Sequence, residues 1–204
     1  VDTQPLHVVQ GDLDIGWHDG KLVARGRDAG SYSVGLSDGS SRTIEMHQGA
    51  PRDIELPSWH LTTSLRAENG TLRQVELDLD KLSDWRDIQE LTYCSSPGRY
   101  TCCVDLDDDH VQTGLRLTLD LGRVCDVAQV QVNGEPLPHA LLAWPYRVDI
   151  TDLVHSGSND VEVVVTPTLR NRLVGYGKTK SKEWKQFRGK RSLAPSGLLG
   201  PVRI

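Results

Sequence analysis

Seven histidines are scattered along the chain, with no HxH or HExxH pair, and Cys94, Cys102, Cys103 and Cys125 lack CxxC spacing. No imidazole–thiolate metal set is legible in that arrangement. A G-x-S-x-G nucleophile elbow and a P-loop are also missing. Carboxylates are plentiful, but a glycosidase pair meets only in the folded chain and cannot be assigned from spacing. The densest acidic cluster is Asp105, Asp107, Asp108 and Asp109 in the run DLDDDH. Hard oxygens this close suit Ca²⁺, which takes six to eight of them. Asp107 and Asp109 are therefore candidate ligands of a structural calcium ion. The EF-hand pattern is not followed, and a charged hairpin tip is the plainer reading.

The four cysteines are open to two readings. In an oxidising compartment they could form one or two disulfides, and otherwise they pack as small apolar groups. Cys102 and Cys103 are adjacent, so on a strand they point to opposite faces. A bridge from Cys94 to one of them is a possibility that spacing leaves undecided. The Asn69-Gly70-Thr71 sequon matters only in a host that glycosylates secreted proteins.

Aromatic residues are scarce, with five Trp, five Tyr and one Phe, so their placement is informative. A ring can stack on the C–H face of a sugar while Arg and Asn bind its hydroxyls. Trp144, Tyr146 and Arg147 form one such grouping, and Asn171, Arg172, Tyr176, Trp184 and Lys185 form another; all eight are candidate carbohydrate contacts. Core packing is the favoured alternative for Trp59 and Trp144. It is weaker for Trp184, whose neighbours are Lys182, Glu183 and Lys185. The second grouping lies in the stretch RNRLVGYGKTKSKEWKQFRGKR (170–191), which holds nine Lys/Arg and one acid, Glu183. It carries +8 in a chain of net charge −5, so the other residues carry −13. Its composition is that of a long loop, and long loops in compact domains are usually functional or disordered. A concentrated positive field suits a polyanion, with an acidic polysaccharide or a partner domain ahead of nucleic acid.

The elements that would position these residues are short strands. LRLTLDL (115–121), VAQVQV (127–132), VEVVV (161–165), VELDL (75–79) and SYSVGL (31–36) alternate apolar and polar residues, as strands with one wet face do. Asp19-Gly20, Asp38-Gly39, Asn69-Gly70 and Asn133-Gly134 fall between such runs and suit two-residue hairpin turns. DKLSDWRDIQEL (80–91) is the best candidate for a helical turn, and the βαβ alternation of a parallel sheet is missing. The expected fold is an all-β antiparallel β-sandwich of the jelly-roll, galactose-binding-like kind, preceded by a small β-module. Residues 1–48 would form the module, 49–57 (with Pro51 and Pro57) a connector, and 58–204 the sandwich. The 204 residues suffice for a buried core. No apolar run approaches the roughly 18 residues of a membrane helix, and the 37% hydrophobic content is too high for a disordered chain. A mildly acidic chain is not expected to be a general nucleic-acid binder. No signal peptide is evident at the start, and Val1 in place of Met suggests a processed chain or a module excised from a longer one.

Six motifs follow one another over residues 100–204: L-D-L-G (119–122), V-x-V-N-G (130–134), P-Y-R-V-D-I-T (145–151), G-x-N-x-x-E-V-x-V (157–165), N-R-L-x-G (171–175) and S-G-L-x-G-P-V (196–202). Weaker pieces, S-W-x-L (58–61) and W-x-x-I-x-x-L (85–91), extend the match. In order and spacing they resemble the C-terminal β-sandwich of glycoside hydrolase family 106, the α-L-rhamnosidases. More broadly they are similar to the sugar-binding, galactose-binding-like domain of family 2 glycosidases. The resemblance implies a non-catalytic carbohydrate-binding or ancillary module of a secreted or periplasmic enzyme that degrades polysaccharide. Its partners would be a polysaccharide, an acidic, uronate-containing one where the basic stretch takes part, and the catalytic domain of the same parent chain, without nucleic acid or membrane. Family 106 enzymes carry their catalytic carboxylates on a separate barrel that this chain is too short to contain, so no catalytic residue transfers. The basic insertion after N-R-L-x-G is larger and more charged than the family leads one to expect. Two alternatives remain: a structural domain packed on the barrel without a sugar site, and a small jelly-roll polysaccharide lyase using Tyr176 with Lys178 or Arg172.

Overall fold

The computed structural model describes residues 7–18, 20–67, 69–179, 182–187 and 192–204. It divides into two compact units, Val1–Arg52 and Asp53–Ile204. In the first, strands β1 (Val8–Gln10), β4 (Gly30–Leu36) and β5 (Ser41–Met46) form an antiparallel sheet in the order β1-β4-β5. Strands β2 (Asp14–His18) and β3 (Lys21–Arg25) make a separate hairpin, and Asp19 of its expected turn lies outside the described residues. The Asp38-Gly39 turn joins β4 to β5, with the Asp38 carboxylate accepting from Ser40 N–H at 2.9 Å and Ser40 Oγ–H at 2.6 Å. Among the described residues the buried apolar side chains here are Leu13, Val34 and Leu36, a small core.

The second unit is a β-sandwich. One layer is a six-stranded antiparallel sheet in the order β12-β11-β14-β8-β6-β7. Its strands are β6 (Trp59–Arg66), β7 (Leu72–Leu79), β8 (Gly98–Leu106), β11 (Val127–Val132), β12 (Glu135–Pro136) and β14 (Gly157–Thr166). The facing layer pairs β9 (Thr118–Asp120) with β13 (Arg147–Asp149), and β10 (Arg123–Cys125) with β15 (Gly197–Gly200). Alternation decides which face goes in: Ala128, Val130 and Val132 on β11, and Val161, Val163 and Val165 on β14, are all buried in one core. In LRLTLDL only 118–120 is paired as strand, although Leu117, Leu119 and Leu121 point inward as expected.

Residues 54–56, read above as connector, belong to the sandwich. Ile54 N–H donates to Ile204 O and Leu56 N–H to Val202 O, both at 2.9 Å. Arg203 in turn bridges to Asp120 of β9, so these residues form the edge of the second layer. Backbone pairing overrides the Pro-rich composition there.

The resembling motifs are fold devices. Asn133 takes a left-handed φ of 51°, followed by Gly134 at 84°, which closes the β11–β12 hairpin. Its Nδ2 donates to Leu153 O and to Asn159 Oδ1, both at 2.8 Å, so V-N-G is tied to G-x-N. Asn159 is fully buried and bonds the backbone at His155 and Gly157. In the core, Tyr100 Oη accepts from Trp85 Nε1 at 2.6 Å and from Leu198 N at 3.1 Å. Gly98 and Gly197 lie so close to Trp85 that a Cβ at either would stand 2.5 Å from its ring. Among the described residues no helix is long and apolar enough to cross a membrane.

Candidate carbohydrate site

The basic stretch expected as a long loop begins as an α-helix, α1 (Arg170–Gly177), and ends its described part in a 3-10 turn, Lys185–Phe187. Residues 180–181 and 188–191 of it lie outside the described residues. A single α-helix of eight residues cannot hold itself together in water, so its anchors matter. Asn171 is the main one. It is 4% exposed, its Nδ2 donates to Ala194 O and its Oδ1 accepts from Ala194 N, each at 2.8 Å. Gly175 is the second: a Cβ there would meet Tyr93 Cγ at 2.8 Å, so α1 reaches the Tyr93 ring only because residue 175 has no side chain.

Docked this way, α1 gathers Arg172, Tyr176 and Trp184. Arg172 Nε donates to Tyr176 Oη at 2.7 Å, and Nη2 reaches the same oxygen and Arg66 O, the latter at 3.3 Å. The Tyr176 and Trp184 rings lie 4.8 Å apart, and Trp184 and Phe187 6.0 Å apart, forming a half-buried aromatic row. Lys185 is exposed beside that row. A cavity of about 370 Å³ opens between α1, the end of β6 and the turn before β8. Its walls include Leu65, Arg66, Glu90, Tyr93 and Ser95 as well as Arg172 and Tyr176. Its walls combine charged and hydroxyl groups with the apolar faces of Leu65 and the tyrosine rings, and its volume is near the low end of the roughly 300–1,000 Å³ typical of small-ligand sites.

Charge in the cavity is uneven. No ion pair joins Arg172 or Arg66 to a carboxylate among the described residues, whereas Glu90 faces Arg73 at 3.7 Å. Lys178 Nζ donates to Tyr93 Oη and lies 5.0 Å from that ring's centre. The Cys94 thiol at the cavity wall is pushed up by burial, more than its bonds to Ser96 and Thr63 and the nearby Arg172 charge lower it. Ser95 Oγ is buried with no hydrogen-bond partner.

The other expected contacts are placed elsewhere. Trp144 is 81% exposed, which corrects its core reading; Trp59 is the buried one, with Nε1 donating to Leu56 O at 2.8 Å. The chain around Trp144, between β12 and β13, presents it outward along with Leu142 at 70% exposure. Tyr146 is a packing residue, 9% exposed, and its phenol donates to Asp126 O at 2.7 Å. Burial raises that phenol above its ordinary range. Arg147 pairs with Asp120 at 2.7 Å on the β9–β13 ribbon. No hydrogen bond or ring contact joins these three to the α1 group among the described residues. Asn171, expected to touch sugar, instead holds backbone. Of the two partners weighed for Tyr176 in a lyase, Arg172 meets it, while Lys178 meets Tyr93. Sequence reading missed Tyr93, Arg66, Glu90 and Ser95, because nothing local marks them; only the packing of α1 on the preceding turn brings them together.

The acidic cluster spans the end of β8 and the turn that follows it. Asp107 precedes a 3-10 turn, Asp108–His110, without capping it by its side chain. Asp108 accepts from Ser156 Oγ, and Asp109 from Gln112 Nε2 at 2.8 Å. Among the described residues no three His, Cys, Asp or Glu side chains gather as a metal site would need. The four cysteines are free thiols. Burial pushes Cys102 up to about 12, and a hydrogen bond to Asp160 raises Cys103, so none of these thiols is tuned as a nucleophile.

No family model matches the chain. It is similar to a protein of Formosa agariphila named "Putative beta-glucuronidase", at 28% identity over 74% of this chain and 15% of that protein. Its fold is similar to the rhamnosidase from Novosphingobium sp. PP1Y, with a TM-score of 0.62 and 23% identity over 98% of this chain and 24% of that one. A weaker likeness, TM-score 0.47 at 20% identity, is to an FMN-binding β-glucuronidase over 74% of this chain and 22% of that one. What the chain resembles is a minor fraction of glycosidase chains. The β-sandwich expected from the alternation is the fold the chain shares with the rhamnosidase structure.

Proposed function

We propose that the chain is a non-catalytic ancillary domain of a secreted or periplasmic, polysaccharide-degrading glycoside hydrolase, and that it binds acidic glycan along α1. The observation that carries the reading is the match to only 15% of a protein named as a glucuronidase. The family 106 resemblance narrows the parent to a rhamnosidase-like enzyme. The half-buried row Tyr176–Trp184–Phe187 supplies stacking faces. Arg172, Lys178, Lys182 and Lys185 supply the positive field around it. A single site of this kind binds weakly, with Kd on the order of 10⁻³ to 10⁻⁵ M, since few anchors offset the cost of association.

Titration of the chain with polygalacturonate and with a neutral galactan, at low and high salt, tests this reading. Binding to the acidic glycan that weakens with salt and with Trp184→Ala supports it. The absence of binding to either glycan overturns it in favour of a second reading, a structural domain packed on its parent's catalytic domain. The exposed Leu142 and Trp144 favour that alternative, because apolar side chains projecting from one loop suit an interface.

A further inference from the structure

We propose that the cavity between α1 and the turn before β8 is a built subsite for one oxyanion-bearing pyranose residue of the glycan, with the Arg172 guanidinium taking the anionic group. This proposal rests on the glycan-binding reading and names the residue-sized site within it. Three features of the cavity carry it.

The first is the state of the guanidinium. Of its five N–H groups, Nε and Nη2 are turned to Tyr176 Oη and Arg66 O, which fixes the plane of the fork. Among the described residues, Nη1 makes no hydrogen bond and no carboxylate forms an ion pair with the guanidinium. A half-buried Arg with its plane fixed and two donors unused is poised for a carboxylate or a sulfate ester. Arg66 on the same wall adds a second positive charge.

The second is the shape and chemistry of the walls. At about 370 Å³ the space admits a single sugar ring rather than a length of polymer. Tyr93 and Leu65 offer apolar surface for the ring's C–H face. The third is Ser95. A buried hydroxyl without a partner is uncommon, and this one belongs to the wall of the cavity. A sugar hydroxyl would satisfy it once the side chain turns toward the cavity, since the oxygen is closed off from solvent in the structure. Glu90 works against an anion on the same wall, and its partial neutralisation by Arg73 limits that effect.

The test uses the full chain and three trisaccharides: trigalacturonate, a neutral galactotriose, and a sulfated galactotriose. Binding is read from backbone amide shifts in ¹H–¹⁵N spectra. Trigalacturonate is expected to shift the amides of Tyr93, Ser95, Arg172 and Tyr176, with the neutral sugar at least about ten-fold weaker. Arg172→Gln is expected to weaken trigalacturonate about ten-fold or more, and Ser95→Ala a few-fold. Because Arg172→Gln also removes the bonds to Tyr176 and Arg66, a gain-of-affinity variant guards against simple misfolding. Glu90→Gln is expected to tighten trigalacturonate a few-fold, which unfolding cannot do. Tighter, Arg172-dependent binding of the sulfated sugar supports the oxyanion site and assigns the sulfate ester as its ligand. Equal binding of polygalacturonate by Arg172→Gln and the parent chain, with loss in Trp184→Ala, overturns the subsite and leaves the glycan-binding reading standing. Failure of every glycan to bind overturns both.

Discussion

Replacing Asn171 by alanine should undock α1, and the structure lets the size of the effect be worked out. The amide of Asn171 makes two hydrogen bonds of 2.8 Å, one to each backbone polar group of Ala194. Alanine removes both and leaves an N–H and a C=O without partners. Each such loss costs about 1–3 kcal/mol when the group stays dry. Ala194 is only half-buried, so water can recover part of that, and about 2–4 kcal/mol is expected overall. An eight-residue helix has little stability of its own, so the loss should appear as local opening of α1 before the sandwich unfolds. Native-state hydrogen exchange reads this directly, through faster exchange at Ala194 and the α1 amides, and urea unfolding followed by tryptophan fluorescence gives the global part. A loss under about 0.5 kcal/mol, with the Ala194 amide as protected as before, would refute the reasoning. The result would then suit a sugar contact, whose removal lowers affinity and leaves stability alone.

Tyr100→Phe should lower stability by about 2–4 kcal/mol in urea unfolding, because it strands the Trp85 indole N–H and the Leu198 N–H in a dry core. Asp84 links stability to pH. Burial alone would raise its carboxyl, but the Arg86 side chain and the N–H groups of Arg86 and Ser196 outweigh that and hold it below the usual carboxylate range. A depressed folded pKa contributes stability that is present above the unfolded value of about 3.9 and lost as pH falls through the folded value. Asp84→Asn should therefore be less stable than the parent chain at pH 7, with the gap closing as thermal melts are taken into acid. Trp144→Ala should change stability by less than about 0.5 kcal/mol in the same urea assay, since the side chain is 81% exposed.

The sandwich and its motifs were legible because each rests on local chemistry. Alternation in 127–132 and 161–165 assigns the inward face, and Asn133-Gly134 closes a hairpin through the φ values those residues tolerate. The candidate site was legible only in part. Arg172, Tyr176 and Trp184 share one short stretch, so their grouping survives into the structure. Tyr146 and Asn171 have the composition of sugar contacts, yet they turn inward to bond the backbone at Asp126 and Ala194. Residue type reports what a side chain can bond, and burial decides which partner it finds.

The sequence by itself determined the class of fold, the strand faces, the hairpin turns and a concentrated positive charge between residues 170 and 191. These follow from periodicity, allowed backbone angles and charge, all of which act within a few residues. Tertiary structure alone decided that this stretch begins as a helix rather than a loop, and that 54–56 joins the sandwich. It also decided that Arg66, Tyr93 and Ser95 wall one cavity with Arg172. Those outcomes depend on contacts across tens of residues, such as Asn171 on Ala194 and Gly175 on Tyr93, where close packing selects one arrangement among many that the local sequence allows.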